Sequence, residues 1–253
     1  MCKASVVIPY YKKKLFIKKT ILSILKQTFK KFEIIIVYDD ENKEELKYLN
    51  KIKALDKRIK LYINNKNLGA GFSRNLGISK STGNYICFID ADDIWHRNKL
   101  KHQIEFMKKN NYLVTHTSYK IKNINNKITG YRKARTVNNF EKLLRSCDIG
   151  LSTVILSKSL ILKKKLKFPN LKTKEDYVLW LYLLKKGIKI HSLNENLTTW
   201  TKIPGSLSSS SLQKLKDGFF VYFRYMKFNI FKSIYFTFIL SINFLIKNYK
   251  NYI

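Results

Sequence analysis

The sequence predicts an α/β fold in which an open, mostly parallel sheet is flanked by helices and followed by a C-terminal helical tail. Three observations predict it. Short β-branched apolar runs alternate with segments of helical periodicity over the first 90 residues, the runs end in acidic residues or turn formers, and 253 residues that are 45% hydrophobic can bury one sizeable core. The 14% aromatic content argues further against a disordered chain, despite a formal charge of +33.

The elements follow in order. Residues 5–8 read as a short buried strand ended by Pro9. Over residues 15–28, Leu15, Ile17, Ile21, Leu22, Ile24 and Leu25 recur at helical spacing. Residues 32–38 form a continuous apolar run, suited to a strand covered on both faces. A charged helix over 43–55 and a strand over 59–63 extend the alternation, and right-handed crossovers between parallel strands follow from it. A loop at Asn67-Leu68-Gly69-Ala70-Gly71 leads into a helix over 72–79, and Thr82-Gly83-Asn84 turns the chain into a strand over 85–89. Beyond Trp95 the pattern predicts a helix over 99–109, strands over 112–121, a hairpin at Asn125-Asn126, and helices over 140–147 and 176–186. Residues 1–205 are expected to form one catalytic-type unit, with a nucleotide-binding half to about residue 95 and an acceptor half over 96–205. Ser206 to Ser211 reads as a linker to an aromatic and basic tail.

Acids are the scarce residue type, 17 against 50 Lys and Arg, so their grouping carries information. Asp39-Asp40 ends one predicted strand, Asp90-Ala91-Asp92-Asp93 ends another, and Glu175-Asp176 opens a helix. Ligands of open parallel sheets bind beyond the carboxyl ends of the strands, so these groups are expected to meet in one crevice. Asp90 and Asp92, two apart on an extended segment, can hold a hard divalent cation that also binds phosphate oxygens; a solvated acidic turn is the plain alternative. Asp39 reads either as a turn former or as an acceptor for a nucleobase or ribose. Glu175 and Asp176 are also what any helix favours in its first turn. Arg74 could neutralise a phosphate, or could pair with Asp39 or Asp90 and hold the crevice together. Trp95 and Trp180 read as packing residues, and His96, His102, His116 and His191 show no metal-ligand spacing.

The basic excess is mostly Lys and is scattered over the whole length. Compositional bias and attraction to an anionic surface explain it equally well; the scatter favours lipid over nucleic acid. Cys2, Cys87 and Cys147 form neither a CxxC pair nor an even set, which suits a reducing compartment. No apolar leader precedes residues 4–9, so a cytoplasmic location is expected. In the tail, Phe, Tyr and Ile are interrupted by Arg224, Lys227 and Lys232. The uncharged stretch 233–246 is short of the roughly 20 residues a spanning helix needs, so an interfacial helix on an anionic membrane is expected, with a helix covering the core as the alternative.

Taken in order, several segments resemble glycosyltransferase family 2 and its GT-A fold. They are Ser5-Val-Val-Ile-Pro-Tyr-Tyr11, Ser23-Ile-Leu-Lys-Gln-Thr-Phe29, Phe32 to Asp40, Asn67-x-Gly69, Arg74-Asn75-x-Gly77, Phe88-Ile-Asp-Ala-Asp-Asp-x-Trp95, and Glu175-Asp176 with Trp180. The resemblance covers about residues 4–210. Gly150-Leu-Ser-Thr-Val154 and the segment after Glu175 are similar to bacterial surface-polysaccharide enzymes of the teichuronic acid and amylovoran type. It implies transfer of a sugar from a nucleoside-diphosphate sugar, UDP by resemblance, to a hydroxyl of a glycan or lipid-linked acceptor, with inversion and with Mn²⁺ or Mg²⁺. It further implies that Pro9, Tyr11, Asp39, Arg74, Asp90 and Lys202 surround the nucleotide sugar, with Tyr11 stacked on the base, Asp39 contacting it and Asp90 near the ribose. Asp92 would ligate the metal and Asp176 would be the general base. The sequence departs from the family at Lys12, Tyr38 and Glu41-Asn42, and Lys202 stands where the family carries a late Arg near the diphosphate. A basic nucleic-acid-binding protein and a sugar-nucleotide-binding scaffold without turnover are the competing readings.

Overall fold

The computed structural model describes residues 3–205 and 210–249. Its centre is a nine-stranded mixed sheet in the order β3-β2-β1-β4-β8-β6-β9-β5, with β7 paired to β6. The parallel part comprises β1 (Ala4–Tyr10), β2 (Phe32–Tyr38), β3 (Ile59–Ile63) and β4 (Tyr85–Phe88), joined through α1 (Lys14–Leu25), α2 (Leu46–Lys53) and α3 (Ala70–Lys80). The remainder departs from the parallel expectation. β5 (Ile94–Trp95) and β8 (Ile155–Ser157) run antiparallel to their neighbours, and so do β6 (Val114–Asn123) and β7 (Ile128–Arg132), while β9 (His191–Lys202) is parallel to β6.

The alternation of side chains along the strands divides the core in two. In β1, Val7 faces one layer and Ala4, Val6, Ile8 and Tyr10 the other; in β4, Ile86 and Phe88 oppose Cys87. One layer holds Ile17, Ile21 and Ile24 of α1, Leu49 and Ile52 of α2, and Leu100, Ile104 and Met107 of α4 (Lys99–Lys109). The other holds α5 (Phe140–Arg145), α6 (Lys158–Lys164) and α7 (Glu175–Lys185). In α7 every residue from Tyr177 to Leu181 is buried, as befits a helix that is apolar all round. α3 comes very close to the sheet at Gly77, where a Cβ would stand 2.3 Å from Val7 Cγ1.

Pro9 does not end the first strand but lies within it, opposite Val37. Pairing of β1 with β4 stops at Val7, so the missing N–H of Pro9 costs no ladder bond on that side. Trp95 and Trp180 are packing residues, 3% and 0% exposed.

The tail is longer and more ordered than its uncharged stretch implies. α8 (Ser211–Phe220) continues through a π turn at Val221–Tyr225 and is followed by α9 (Ile230–Tyr249), a 20-residue helix. Of the expected Ser-rich linker, 206–209 lie outside the described residues. One stripe of α9, Ser233, Phe236 and Leu240, is buried against the domain, and Asn243 Nδ2 donates to the carbonyl of Arg145. The opposite face exposes Phe231, Ile234, Phe238 and Leu245. By length and composition alone, Ile230–Lys247, with a mean hydropathy of 1.5, is long and apolar enough to cross a membrane, although Lys232 and Lys247 leave the uncharged stretch 233–246 within it as short as expected.

Candidate active site

Each parallel strand delivers a polar residue at its carboxyl end: Tyr11 after β1, Asp39 after β2, Asn64 after β3 and Asp90 just beyond β4. The backbone carries this order forward, since Asp39 N donates to Tyr10 O and Asn64 N to Tyr38 O. The acids therefore gather at one edge of the sheet, where open α/β sheets hold their ligands.

Asp39 is 2% exposed and organises the loop after β3. Its Oδ1 accepts from Asn64 Nδ2 at 2.8 Å and Leu68 N at 2.9 Å, and its Oδ2 accepts from Gly69 N at 2.8 Å. Gly69 holds φ +89°, a conformation that favours glycine and that aims its N–H back at the carboxylate. A carboxylate has about four lone-pair sites, so Oδ2 keeps one acceptor position. Asn64 also donates to Ser73 Oγ at 3.0 Å, which ties this network to the start of α3, one residue before Arg74.

Arg74 is buried and joins the other two acid groups. Its Nη2 donates to Asp90 Oδ1 at 2.8 Å and its Nη1 to Glu175 Oε1, while the guanidinium lies 5.5 Å from the Phe168 ring centroid. Burial alone would lower its proton affinity; the charges of Asp90 and Glu175 outweigh that and hold it above the ordinary arginine value. Of the two acids read as alternative partners, Asp90 is the one paired with Arg74. Asn75 exchanges hydrogen bonds with the backbone of Phe168, 2.8 and 2.9 Å, and so fixes the loop that leads to α7.

Asp176 opens α7 beside Glu175 and accepts from Tyr177 N at 2.7 Å. Loss of solvent, and then the negative charge of Glu175, push its carboxyl up to about 7. A carboxylate in that range exchanges a proton near neutral pH, as a general base must.

Asp92 is held at 2.7 Å by Lys13 Nζ. Lys12, in the left-handed region at φ +48°, turns the chain between β1 and α1 at this point. Burial and then the charge of Asp90 raise the Asp92 carboxyl above the usual range, a repulsion that a cation would relieve. Among the described residues no group of three or more His, Cys, Asp or Glu side chains could hold a metal by protein ligands alone. One carboxylate plus substrate phosphate oxygens is nevertheless a donor set that Mg²⁺ accepts, and Asp92 fits it. Asp93 is fully buried and serves structure: it accepts from Ser152 Oγ and from Thr201 N at 3.0 Å, bolting the acidic turn to β9. Thr201 Oγ1 in turn donates to Asp92 O, so Lys202, exposed at the end of β9, stands next to the acidic turn.

Pro9 is half-buried inside β1, and Tyr11 is 40% exposed with Lys12 Nζ 5.2 Å from its ring centroid. Three contacts of the candidate site went unread in the sequence: Lys13 on Asp92, Asn64 on Asp39, and the pairing of Glu175 with Arg74. Asn64 alone carried a signal, its place directly after a parallel strand. The lone histidines are structural in their contacts, with His191 stacked on Tyr112 and His102 bonded to Glu195.

Comparison with known proteins bears on the family and the fold. Residues 5–168 match the glycosyl transferase family 2 model. The chain is 36% identical over 211 residues to the Escherichia coli UDP-Glc:alpha-D-GlcNAc-diphosphoundecaprenol beta-1,3-glucosyltransferase WfaP, covering 83% of this chain and 82% of that protein. It is 30% identical over 219 residues to the putative teichuronic acid biosynthesis glycosyltransferase TuaG of Bacillus subtilis, covering 86% of each. The S. aureus TarS fragment solved with UDP-GlcNAc superposes with a TM-score of 0.71 at 23% identity, over 87% of this chain and 64% of that one. The Pyrobaculum calidifontis mannosyltransferase PcManGT, solved with GDP-Man and Mn²⁺, superposes with a TM-score of 0.68 at 12% identity, over 92% of this chain and 69% of that one. These likenesses show the GT-A fold. With acids at the strand ends, an arginine joining them and a profile match over most of its length, the chain belongs to glycosyl transferase family 2.

Proposed function

We propose that the chain transfers a sugar, with inversion, from a UDP-sugar to a hydroxyl of a lipid-linked acceptor in cell-envelope polysaccharide synthesis. The observation that carries this reading is the Arg74 bridge, which joins Asp90 at the end of β4 to Glu175 and so brings Asp176 to the acidic turn. WfaP acts on a diphosphoundecaprenol-linked sugar and TuaG is named for teichuronic acid, which supports the acceptor class. TarS and its UDP-GlcNAc complex support the donor.

In this reading Tyr11 and Pro9 flank the base, the remaining acceptor position of Asp39 takes a base or ribose N–H or O–H, and Asp90 lies near the ribose. Lys202 balances the diphosphate as a point charge without the fork of an arginine. Asp92 would hold Mn²⁺ or Mg²⁺, which would supply Lewis-acid stabilisation of charge on the diphosphate. Asp176 removes the proton of the acceptor hydroxyl as that oxygen attacks the anomeric carbon. The bond to the diphosphate breaks on the opposite face, UDP leaves with the electron pair, and one displacement inverts the configuration. General-base assistance of this kind contributes about 10²- to 10⁴-fold.

The protein acts in the cytoplasm, held at the membrane face by α9. The outer face of that helix is apolar, and a groove of 510 Å³ at the α8–α9 junction is lined by Phe220, Phe223, Arg224, Lys227 and Phe228, a mixture suited to an anionic bilayer surface. Truncation at residue 210 would delete Tyr222, Phe236 and Leu240 and uncover the core they pack on, so Phe231→Asp with Phe238→Asp is the cleaner probe of flotation with anionic vesicles. Unchanged flotation would remove the tail from this role. The donor reading is tested by thermal stabilisation with a panel of UDP-sugars, with and without Mn²⁺, followed by analysis of the product. No stabilisation by any UDP-sugar would overturn it.

A further inference from the structure

The N-terminal end of α7, α8 and α9 meet beside Asp176, and lysines crowd that junction. Lys174, immediately before α7, is a non-glycine residue held at φ +63°. Left-handed backbone in a lysine carries strain, and such strain gathers at functional positions. Its side chain lies along Gly218 of α8, where a Cβ would stand 3.6 Å from Lys174 Cε and 3.4 Å from Thr237 Cγ2 of α9. The preceding residue is bolted down, since Thr173 N and Oγ1 both donate to Asp217 Oδ2 at 2.8 Å. Gln213 Nε2 takes the other oxygen of Asp217 at 3.0 Å.

One helical turn before Gly218, Lys214 projects from the same side of α8, with its Nζ 4.9 Å from the ring centroid of Phe244 on α9. Among the described residues no carboxylate stands within salt-bridge distance of Lys174 or Lys214, although the charges of Asp176 and Asp217 are felt at Lys174 and partly offset its burial. Burial, and then the charges of Lys174 and Lys202, lower the proton affinity of Lys214. Cations that repel one another over a partly dry junction are stabilised by an anion with several charges.

Resting on the function proposed above, we infer that Lys214 and Lys174 seat the diphosphate of a polyprenyl-diphosphate-linked acceptor, whose lipid leaves along the apolar face of α9. Lys174 is two residues from Asp176, so a hydroxyl at Asp176 and a phosphate at Lys174 belong to the same short acceptor. The site therefore selects the first sugar on the carrier, not one far along a glycan. Lys202, next to the acidic turn, is near enough for its charge to be felt at Lys214, and in the function proposed above it belongs to the donor diphosphate.

The test measures binding of geranylgeranyl diphosphate in neutral detergent, of inorganic pyrophosphate, of phosphatidylglycerol vesicles, and of UDP with Mn²⁺ to the full chain. Geranylgeranyl diphosphate is expected to bind more tightly than pyrophosphate. Lys214→Gln should weaken both by about tenfold, roughly the loss of one charge-assisted contact, with Lys214→Arg restoring them and UDP affinity held within about twofold. Unchanged geranylgeranyl diphosphate affinity in Lys214→Gln would overturn the inference. An equal loss for UDP would also overturn it, by placing Lys214 in the donor site, as would a loss confined to phosphatidylglycerol vesicles, by making it a lipid-headgroup contact. UDP binding in the unmodified chain reports on the proposed function separately, so a failure of that reading is distinguishable from a failure of this seat.

Discussion

The two ends of the parallel sheet use buried acids in opposite ways. Near the start of β2, Glu33 is 2% exposed and fully served: Ser5 Oγ donates at 2.6 Å, Thr82 N at 2.8 Å and Oγ1 at 2.7 Å, and Lys60 Nζ lies at 2.8 Å. Burial would raise its carboxyl, but Lys60, Ser5 and Thr82 outweigh that and hold it well below the usual range. At the far end, Asp92 and Asp176 are raised, first by burial and then by neighbouring acids. An acid whose partners are complete stabilises the fold. One left short of positive charge keeps its affinity for a proton, a cation or a substrate, and that is what chemistry requires.

This contrast can be broken or sharpened by substitution. The largest expected effect is at Asp92, where Asp92→Ala should cut transfer by about a hundredfold or more, the scale of losing several kcal/mol of charge stabilisation, and abolish the Mn²⁺-dependent part of UDP stabilisation. Stabilisation that persists with Mn²⁺ would take the cation away from Asp92. Next comes Arg74→Gln, which leaves Glu175 and Asp90 without their shared partner. Unfolding in denaturant should show a cost of about 3–5 kcal/mol, the usual scale for breaking a buried ion pair. A smaller effect is expected from pH on stability. Because Asp176 has a raised carboxyl in the folded state, it destabilises the fold progressively as pH rises from about 4 toward about 7. Asp176→Asn should therefore gain stability over the unmodified chain at pH 8 and lose that gain near pH 4. Glu33→Gln should have the least effect on catalysis: a loss of about 2 kcal/mol of stability with turnover per folded molecule unchanged. With its carboxyl depressed, the Glu33 contribution is present above the unfolded value and fades as pH falls below it. A large loss of turnover at Glu33 would erase the distinction between the two ends.

Where burial alone decides structure, the sequence was sufficient. β2 matches its apolar run at both boundaries, and α4 matches its periodicity, because each is specified by its own side chains. β9 was not legible: His191–Lys202 is polar, and it is a strand because β6 holds it in parallel register through two irregularities. β5 and β8 are two and three residues long, too short for any period to show. The site divides in the same way. Asp39, Asp90 and Asp92 were readable because strand ends mark them, and Asp176 through the family pattern. Which cation meets which acid was not, since Arg74 bonds Glu175 across 101 positions and Lys13 reaches Asp92 across three α-helices and three strands. Such choices are made by tertiary packing.

The account depends most on Asp176 being the group that takes the acceptor proton. The most direct measurement is the pH–rate profile of sugar transfer for the unmodified chain and for Asp176→Asn, with UDP affinity followed in parallel. The unmodified rate should fall about tenfold per pH unit below about 7, and the variant should be at least about a hundredfold slower, indifferent to pH, and unchanged in UDP affinity. A variant that transfers sugar at the full rate, with the same pH profile, would contradict it.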